Sequence, residues 1–141
     1  MTAAVNDLTD AQRVEIGRSV EQAWSEMMAG ARALDAARIR ARYAEKPTQV
    51  VNGVIVEDFN NQFEGTRRWL ESLRQLDATY DHVHLEVLAP AAAVATMNHH
   101  LSWSDTTGAT GQWHSAWTAV FRIIEGQWKI VHSHESVPPS P

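Results

Sequence analysis

Histidine is the residue whose type and spacing could do chemistry most directly in this chain of 141 residues, which holds seven His and six Trp. Six of the histidines form close pairs, namely His82/His84, His99/His100 and His132/His134. A His-x-His pair in a strand places both rings on one face about 7 Å apart, because a strand rises roughly 3.3 Å per residue. A metal ion also needs a third and a fourth converging ligand. We therefore expect no metal, and we assign His132 and His134 to a structural network or a subunit interface.

Composition excludes several other kinds of site. The absence of Cys excludes disulfides, thiolate metal sites and a Cys nucleophile. The net charge of −5 argues against nucleic-acid binding, which favours a basic face. The sequence has no basic and apolar leader and no run of 18 apolar residues, so we expect a cytoplasmic protein that does not enter a membrane. The loop DTTGATG lacks the Lys and the strand-to-helix setting of a phosphate cradle, and we expect no cofactor.

Three helices are predicted in the first half of the chain. Thr9 and Gln12 fit a capping box, and an apolar stripe at helical spacing then runs from Ile16 to Met28, with Gly30 as a plausible end. The second helix is predicted over about residues 32–44, before Pro47, and the third over about residues 65–76.

Strands are predicted to follow. Asn52-Gly53 between β-branched residues indicates a short hairpin over residues 49–56. Four further strands are predicted over residues 79–88, 92–104, 112–124 and 127–135. This order predicts an α+β fold, in which three N-terminal-side helices pack on the concave face of a cone-shaped, curved antiparallel sheet. We expect one domain over residues 1–137 and a disordered Pro-rich tail over residues 138–141. The open mouth of such a cone would form a pocket.

The C-terminal segment VFRIIEGQWKIVHSHES resembles the last hairpin of the nuclear transport factor 2-like superfamily. That superfamily contains SnoaL-like polyketide cyclases, ketosteroid isomerases and scytalone dehydratase. Within it, the pattern is most similar to the association domain of calcium/calmodulin-dependent kinase type II. The residues that carry the match are Phe121, Arg122, Glu125, Gly126, Trp128, Ile130, Val131, His132, His134 and Ser136.

The resemblance implies a homodimer through the outer face of the sheet. The penultimate strand has large apolar residues on both faces, with Trp117 and Phe121 on one side and Ala116 and Val120 on the other. A sheet that is buried on both faces needs a second cover. Because helices would cover one face, a second copy of the chain is the simplest cover for the other.

The resemblance also implies which residues face the cavity. In the association domains, the positions that match Ala119 and Glu135 point into the cavity and often hold Arg, and Trp69 matches a cavity position on the third helix. Here Ala119 cannot bind an anion and Glu135 would repel one, so we expect no carboxylate-binding site of the kinase type. This strand parity assigns to the cavity Trp117, Ala119, Phe121, Val131, Ser133 and Glu135.

Two residues emerge as proton carriers from this placement. A carboxyl such as Glu135 in an aromatic cavity has a raised pKa and can act as a general acid or base; alternatively it is solvated or paired with a helical Arg. His99 could relay protons near neutral pH together with Tyr43, as His and Tyr do in scytalone dehydratase-like proteins; alternatively it is a core histidine bonded to the backbone. Trp24 occupies the inward site of the first helix where a ketosteroid isomerase would need Tyr.

The sequence thus predicts two acid–base groups, Glu135 and His99, and a ligand pocket. The predicted lining residues are Trp24, Tyr43, Trp69, Trp103, Trp117, Phe121 and Ser133. An aromatic wall favours a flat apolar ligand, although core filling also explains each Trp taken alone. One hypothesis is a cofactor-free lyase, isomerase or cyclase that acts on a small apolar or aromatic molecule. The alternative is a non-catalytic association module.

Overall fold

The computed structural model describes residues 7–139 and confirms the α+β fold and the predicted order of elements. In chain order the elements are α1 (Asp10–Arg32), α2 (Ala36–Arg40), β1 (Tyr43–Val51), β2 (Val54–Val56), α3 (Phe59–Ser72), β3 (Leu73–Ala89), β4 (Ala92–Asp105), β5 (Thr110–Ile124) and β6 (Gln127–Ser136). Residues 138 and 139 of the predicted tail form neither helix nor strand. The rest of that tail, and the first six residues judged for a leader, lie outside the described residues. No helix within residues 7–139 has the length and hydropathy to cross a bilayer.

Helix α1 begins at the predicted capping box but does not end at Gly30. The Thr9 amide donates to Gln12 Oε1 at 2.8 Å, and the Gln12 amide donates to Thr9 Oγ1 at 3.1 Å. The helix continues to Arg32. Gly30 lies instead where α1 and α2 approach each other closely. A Cβ at Gly30 would lie 2.9 Å from the Cβ of Arg38 on α2.

The second helix is much shorter than predicted. Leu34 adopts a left-handed φ of 55°, and only Ala36–Arg40 are helical. Tyr43, predicted on the inward face of this helix, instead opens strand β1. Pro47 lies inside β1, where the pairing with β6 is interrupted between Tyr43 and Thr48. A proline is tolerated at such an irregularity because its missing N–H breaks no regular ladder bond.

Helix α3 begins and ends earlier than predicted. Its N-cap is Asp58, whose carboxylate accepts a hydrogen bond from the Asn61 amide at 3.0 Å. The helix therefore begins at Phe59 rather than near Gly65. It ends at Ser72, and the leucines that follow belong to β3.

The curved sheet has the strand order β2-β1-β6-β5-β4-β3 and is mostly antiparallel. The exception is β1, which pairs with β6 in parallel. The β1–β2 hairpin closes through Asn52 and Gly53 with φ values of 49° and 81°, as a two-residue turn with positive φ at both positions requires. A bulge between Asp81 and His84, with His82 at φ 52°, disrupts the β3 ladder. Bulges bend a strand and increase its twist.

The core lies between α1 and the inner face of the sheet. Trp24 and Met27 of α1 pack there with Trp117 and Phe121 of β5. The inward parity predicted for β5 is observed, since its alternate residues from Ser115 to Phe121 are buried. The parity of β6 changes at a bulge. Phe121 pairs with Ile130 while Val120 pairs with His132, so the residue between them is additional.

That additional residue is Val131, and the expectation that it faces the cavity is wrong. Ile130 occupies the inward site instead and is fully buried in the core. Ser133 and Glu135, which follow the bulge, keep the inward direction predicted for them.

Candidate active site

A cavity of two adjoining chambers lies between α3, β1 and the inner face of the sheet. The outer chamber has a volume of about 520 Å³, and the inner chamber, which reaches toward α1, has about 190 Å³. Both chambers are lined by Ile39, Tyr43, Gln49, Thr66, Trp69, Leu101 and Glu135. A ligand that fills both chambers would therefore contact Glu135 and Tyr43 at their junction.

Aromatic rings form most of the outer chamber. The Tyr43 and Phe59 rings are 4.8 Å apart, and Phe59 stacks on Phe63 at 5.9 Å. Trp69 of α3 meets Trp103 of β4 edge to face at 6.3 Å. Each of these rings therefore packs against another ring of the chamber wall.

Phe59, Phe63 and Trp113 also line the outer chamber, and they were not among the predicted lining residues. Phe59 and Phe63 are one helical turn apart on α3. Their spacing could have indicated a shared helical face if the start of α3 at the Asp58 cap had been recognised. Trp113 lies on the same face of β5 as Trp117, so the strand alternation could have indicated its position.

Glu135 is held at the junction by its neighbours on the two adjacent strands. On β6 it lies beside Val51 of β1 and opposite Trp117 of β5. Its Oε2 accepts a hydrogen bond from Ser115 Oγ at 3.1 Å. Burial raises the pKa of the Glu135 carboxyl, and the Ser115 hydrogen bond opposes part of this shift. Among residues 7–139, no Lys or Arg side chain forms an ion pair with Glu135.

His99 lines the inner chamber and is only 8% exposed. Its ring stacks on Trp117 with centroids 4.8 Å apart and planes at 25°. Its Nε2 is buried and has no hydrogen-bond partner among the described residues. Burial, with a smaller effect of the neighbouring His100, lowers the pKa of His99 to about 4. The imidazole is therefore neutral at physiological pH.

Tyr43 and Gln49 add two uncharged polar groups to the site. Burial and the nearby Glu135 charge both raise the pKa of the Tyr43 phenol, while Arg40 opposes this. The phenol therefore stays protonated and can donate a hydrogen bond. Gln49 Oε1 is a buried acceptor with no partner among the described residues. The junction thus combines a carboxyl of raised pKa, a neutral imidazole, a phenol and an amide within aromatic walls.

A comparison with protein families shows which family the chain belongs to. The family description "SnoaL-like domain" matches residues 18–140. The chain belongs to the SnoaL-like domain family. This SnoaL-like protein has no match among curated proteins.

Several solved structures share the fold. A protein from Novosphingobium aromaticivorans, provisionally assigned as a scytalone dehydratase, has 10% identity and a TM-score of 0.82, with 93% of this chain and 89% of that chain covered. A Xanthomonas campestris protein, provisionally assigned as a calcium/calmodulin-dependent protein kinase II association domain, has 15% identity, a TM-score of 0.74 and coverages of 88% and 89%. A type 2 hexachlorocyclohexane dehydrochlorinase has 10% identity, a TM-score of 0.74 and coverages of 93% and 90%. At these identities the likeness shows the nuclear transport factor 2-like fold alone.

The structure of this SnoaL-like protein brings some of the predicted pocket residues to the cavity and places others elsewhere. Tyr43, Trp69 and Trp103 line the outer chamber, and Trp117 lines the inner one. The remaining predicted residues lie in the packed interior rather than on a chamber wall, and they are Trp24, Phe121 and Ser133. They are covered because α1 seals this part of the sheet, where Trp24 packs against Phe121 with centroids 6.4 Å apart.

The histidine pairs lie mostly outside the cavity. On the outer face, Asp81 accepts from both His82 and His100, at 2.8 and 3.0 Å, and His100 Nδ1 is 2.8 Å from His114 Nδ1. His132 is half-buried and His134 is exposed. Within residues 7–139, no three His, Asp or Glu side chains are grouped so that they could hold a metal ion.

Proposed function

We propose that this SnoaL-like protein binds a small apolar or aromatic molecule in the two-chamber cavity and moves a proton on it without a cofactor. The observation that carries the proposal is the Glu135 carboxyl, which is held by Ser115 at the junction of two aromatic-walled chambers. A base is most effective when its pKa lies near the working pH, and burial shifts the pKa of Glu135 in that direction. The reaction class is that of a lyase, isomerase or cyclase.

The other polar groups divide the remaining roles. Glu135 removes or returns the proton, because burial raises the pKa of its carboxyl and so makes its carboxylate a stronger base. His99 acts as a neutral imidazole that hydrogen-bonds the ligand through Nε2 and passes the proton on. Tyr43 donates a hydrogen bond to an oxygen that gains negative charge. Two of the similar structures carry the names of a dehydratase and a dehydrochlorinase, which supports an elimination.

A general substrate for proton abstraction tests the proposal without knowledge of the natural ligand. In 5-nitrobenzisoxazole, a base removes the ring C–H proton while the N–O bond breaks, which yields a nitrile and a coloured phenolate. We expect the Glu135→Gln variant to lose at least about 100-fold of the protein-catalysed rate, a typical contribution of one general base. Glu21→Gln on the exposed surface of α1 is the matched control and should keep the full rate.

Two further variants connect the rate to the cavity. Thr66 lines both chambers, so Thr66→Trp should fill the junction and abolish the reaction while the carboxyl remains. His99→Gln should lower the rate less than Glu135→Gln does. Equal rates for the native protein and Glu135→Gln would overturn the proposal.

The association role is favoured by a separate observation, and we propose a homodimer through the outer face of the sheet. The helices pack on the inner face. On the outer face, the half-buried Val94 and Val120 are cross-strand partners, and Thr96 bonds Thr118 at 2.9 Å. This pattern of small and apolar side chains suits a twofold contact, in which each copy presents the same surface.

Light scattering at micromolar concentration tests the dimer. The native chain should have twice its monomer mass of 15.7 kDa, and Val120→Lys should shift it to the monomer because two buried charges would face each other across the axis. Glu135→Gln should remain dimeric, which separates assembly from chemistry. A monomeric native protein would contradict this proposal and leave the cavity proposal intact.

A further inference from the structure

The outer chamber combines many aromatic rings with a single charge. Six rings line it, and they belong to Tyr43, Phe59, Phe63, Trp69, Trp103 and Trp113. Glu135 is the one ionisable carboxyl on the wall, and no Lys or Arg lines either chamber within the described part of the chain. The chamber therefore has no positive group that could neutralise an anion, and it has one group that would repel it.

The nearest positive group, Arg40, is directed away from the cavity. Its guanidinium donates to the carbonyl oxygens of Ala44 and Glu45 at 2.9 Å, and to Asn60 Oδ1 at 2.9 Å. It lies 5.1 Å from the ring of Phe59, but it does not line either chamber. These hydrogen bonds hold the guanidinium away from Glu135, with which it forms no ion pair, although its charge still acts on the Tyr43 phenol.

The remaining polar groups at the junction also favour a positive ligand. An aromatic ring presents a negative face, and it attracts a cation that lies over it within about 6 Å. Gln49 Oε1 is a buried acceptor without a partner among the described residues. His99 is neutral, so it does not oppose a cation. The aromatic rings, the amide oxygen and the carboxylate therefore make this cavity a more favourable environment for a cation than for an anion.

We propose that the preferred ligand of this cavity is an organic cation, in which an ammonium or quaternary nitrogen lies beside Glu135 and an apolar or aromatic body fills the outer chamber. This inference rests on the proposed function, since it names the class of molecule that the same cavity binds. The rings stabilise the positive nitrogen without the full cost of desolvation, and the carboxylate neutralises it. An anion of the same size would be repelled by the Glu135 carboxylate, and no Lys or Arg lines either chamber among the described residues to neutralise it.

A pair of isosteric probes tests the charge preference. Benzyltrimethylammonium and neopentylbenzene have the same shape and differ in the positive charge, and phenylacetate supplies an anion. Binding can be followed by quenching of the tryptophan fluorescence, because three Trp line the outer chamber. We expect the cation to bind at least about tenfold more tightly than the neutral probe, as a desolvated cation–π contact with an ion pair predicts. Phenylacetate should not bind measurably.

Variants assign the preference to the proposed groups. Glu135→Gln should reduce the preference for the cation to about threefold, the part that the rings supply, and Glu21→Gln should leave it unchanged. Trp103→Leu should weaken binding of the cation more than binding of the neutral probe. It provides a second test if circular dichroism shows that Glu135→Gln does not fold.

The possible outcomes separate this inference from the proposed function. Equal or tighter binding of neopentylbenzene would overturn the cation preference while leaving an apolar-ligand cavity in place. The inference would also be overturned if Glu135→Gln and Trp103→Leu both kept the native preference for the cation. Other residues would then recognise the positive charge. If neither the cation nor the neutral probe binds, both proposals fail.

Discussion

The buried His99 predicts a specific loss of stability in acid. Its folded pKa is about 4 against an ordinary value of 6.5. As the pH falls below 6.5, the imidazole of the unfolded chain takes up a proton while the folded His99 does not. The unfolded state then binds more protons, so the free energy of unfolding decreases as the pH falls. This contribution of His99 is fully present above its unfolded pKa and is lost through the interval from 6.5 to about 4.

The magnitude follows from the size of the shift. One pKa unit corresponds to about 1.4 kcal/mol, so the complete loss is about 3 kcal/mol and the loss at about pH 5 is roughly 2 kcal/mol. These are large fractions of a typical domain stability of about 5–15 kcal/mol. His99→Phe removes the titrating group and can keep the ring stack on Trp117, so the variant should lack this component of acid sensitivity.

Urea unfolding at fixed protein concentration provides the assay. We expect the free energy of unfolding to decrease by roughly 2 kcal/mol more in the native protein than in His99→Phe between about pH 7.5 and about pH 5. Carboxylates such as Glu135 titrate in both proteins and cancel in this difference. His84→Gln, at an exposed position of β3, controls for the loss of a histidine. Equal decreases in the native protein and His99→Phe would refute the burial argument.

Two other substitutions test the local supports of the site. Ser115→Ala removes the hydrogen bond that opposes the raised pKa of Glu135, so the acidic, ascending limb of the pH–rate profile should move to higher pH; an unmoved profile would show that Ser115 does not tune the carboxyl. Gly111→Ala would place a Cβ against the indole of Trp103, so it should displace that wall and weaken probe binding in fluorescence titrations, whereas Gly65→Ala, whose Cβ meets open space, should have no such effect.

Most of the fold could be predicted from local patterns in the sequence. The Thr9 capping box and the Asn52-Gly53 turn specify their structures through short-range bonds and backbone preferences, and both were predicted at the observed positions. The boundaries that were wrong depend on contacts between elements. Gly30 was interpreted as a helix end because the sequence does not show that Arg38 would pack against it. The parallel pairing of β1 with β6 joins segments about 80 residues apart, and it has no local signal.

The candidate site depended on strand parity, which a bulge alters. Alternation alone placed Val131 inward, but the extra residue at the bulge gives that direction to Ile130. Glu135 kept its inward direction because it follows the bulge, with Ser133, at the interval of two that alternation requires. Trp24 illustrates a different limit. A periodic helix pattern identifies a buried face, but it does not distinguish a residue that fills the core from one that lines a cavity.

Unpaired polar atoms do not identify the site by themselves. The Trp24 indole Nε1 is as unpartnered as Gln49 Oε1 and His99 Nε2, although Trp24 lines neither chamber. Each buried atom left without a hydrogen bond costs roughly 1–3 kcal/mol, and at Trp24 this cost accompanies the packing of a large ring in the core. Gln49 and His99, in contrast, both line the inner chamber, which Glu135 also lines. A ligand that bonds these two unpaired atoms would remove this cost, and its binding would stabilise the folded state.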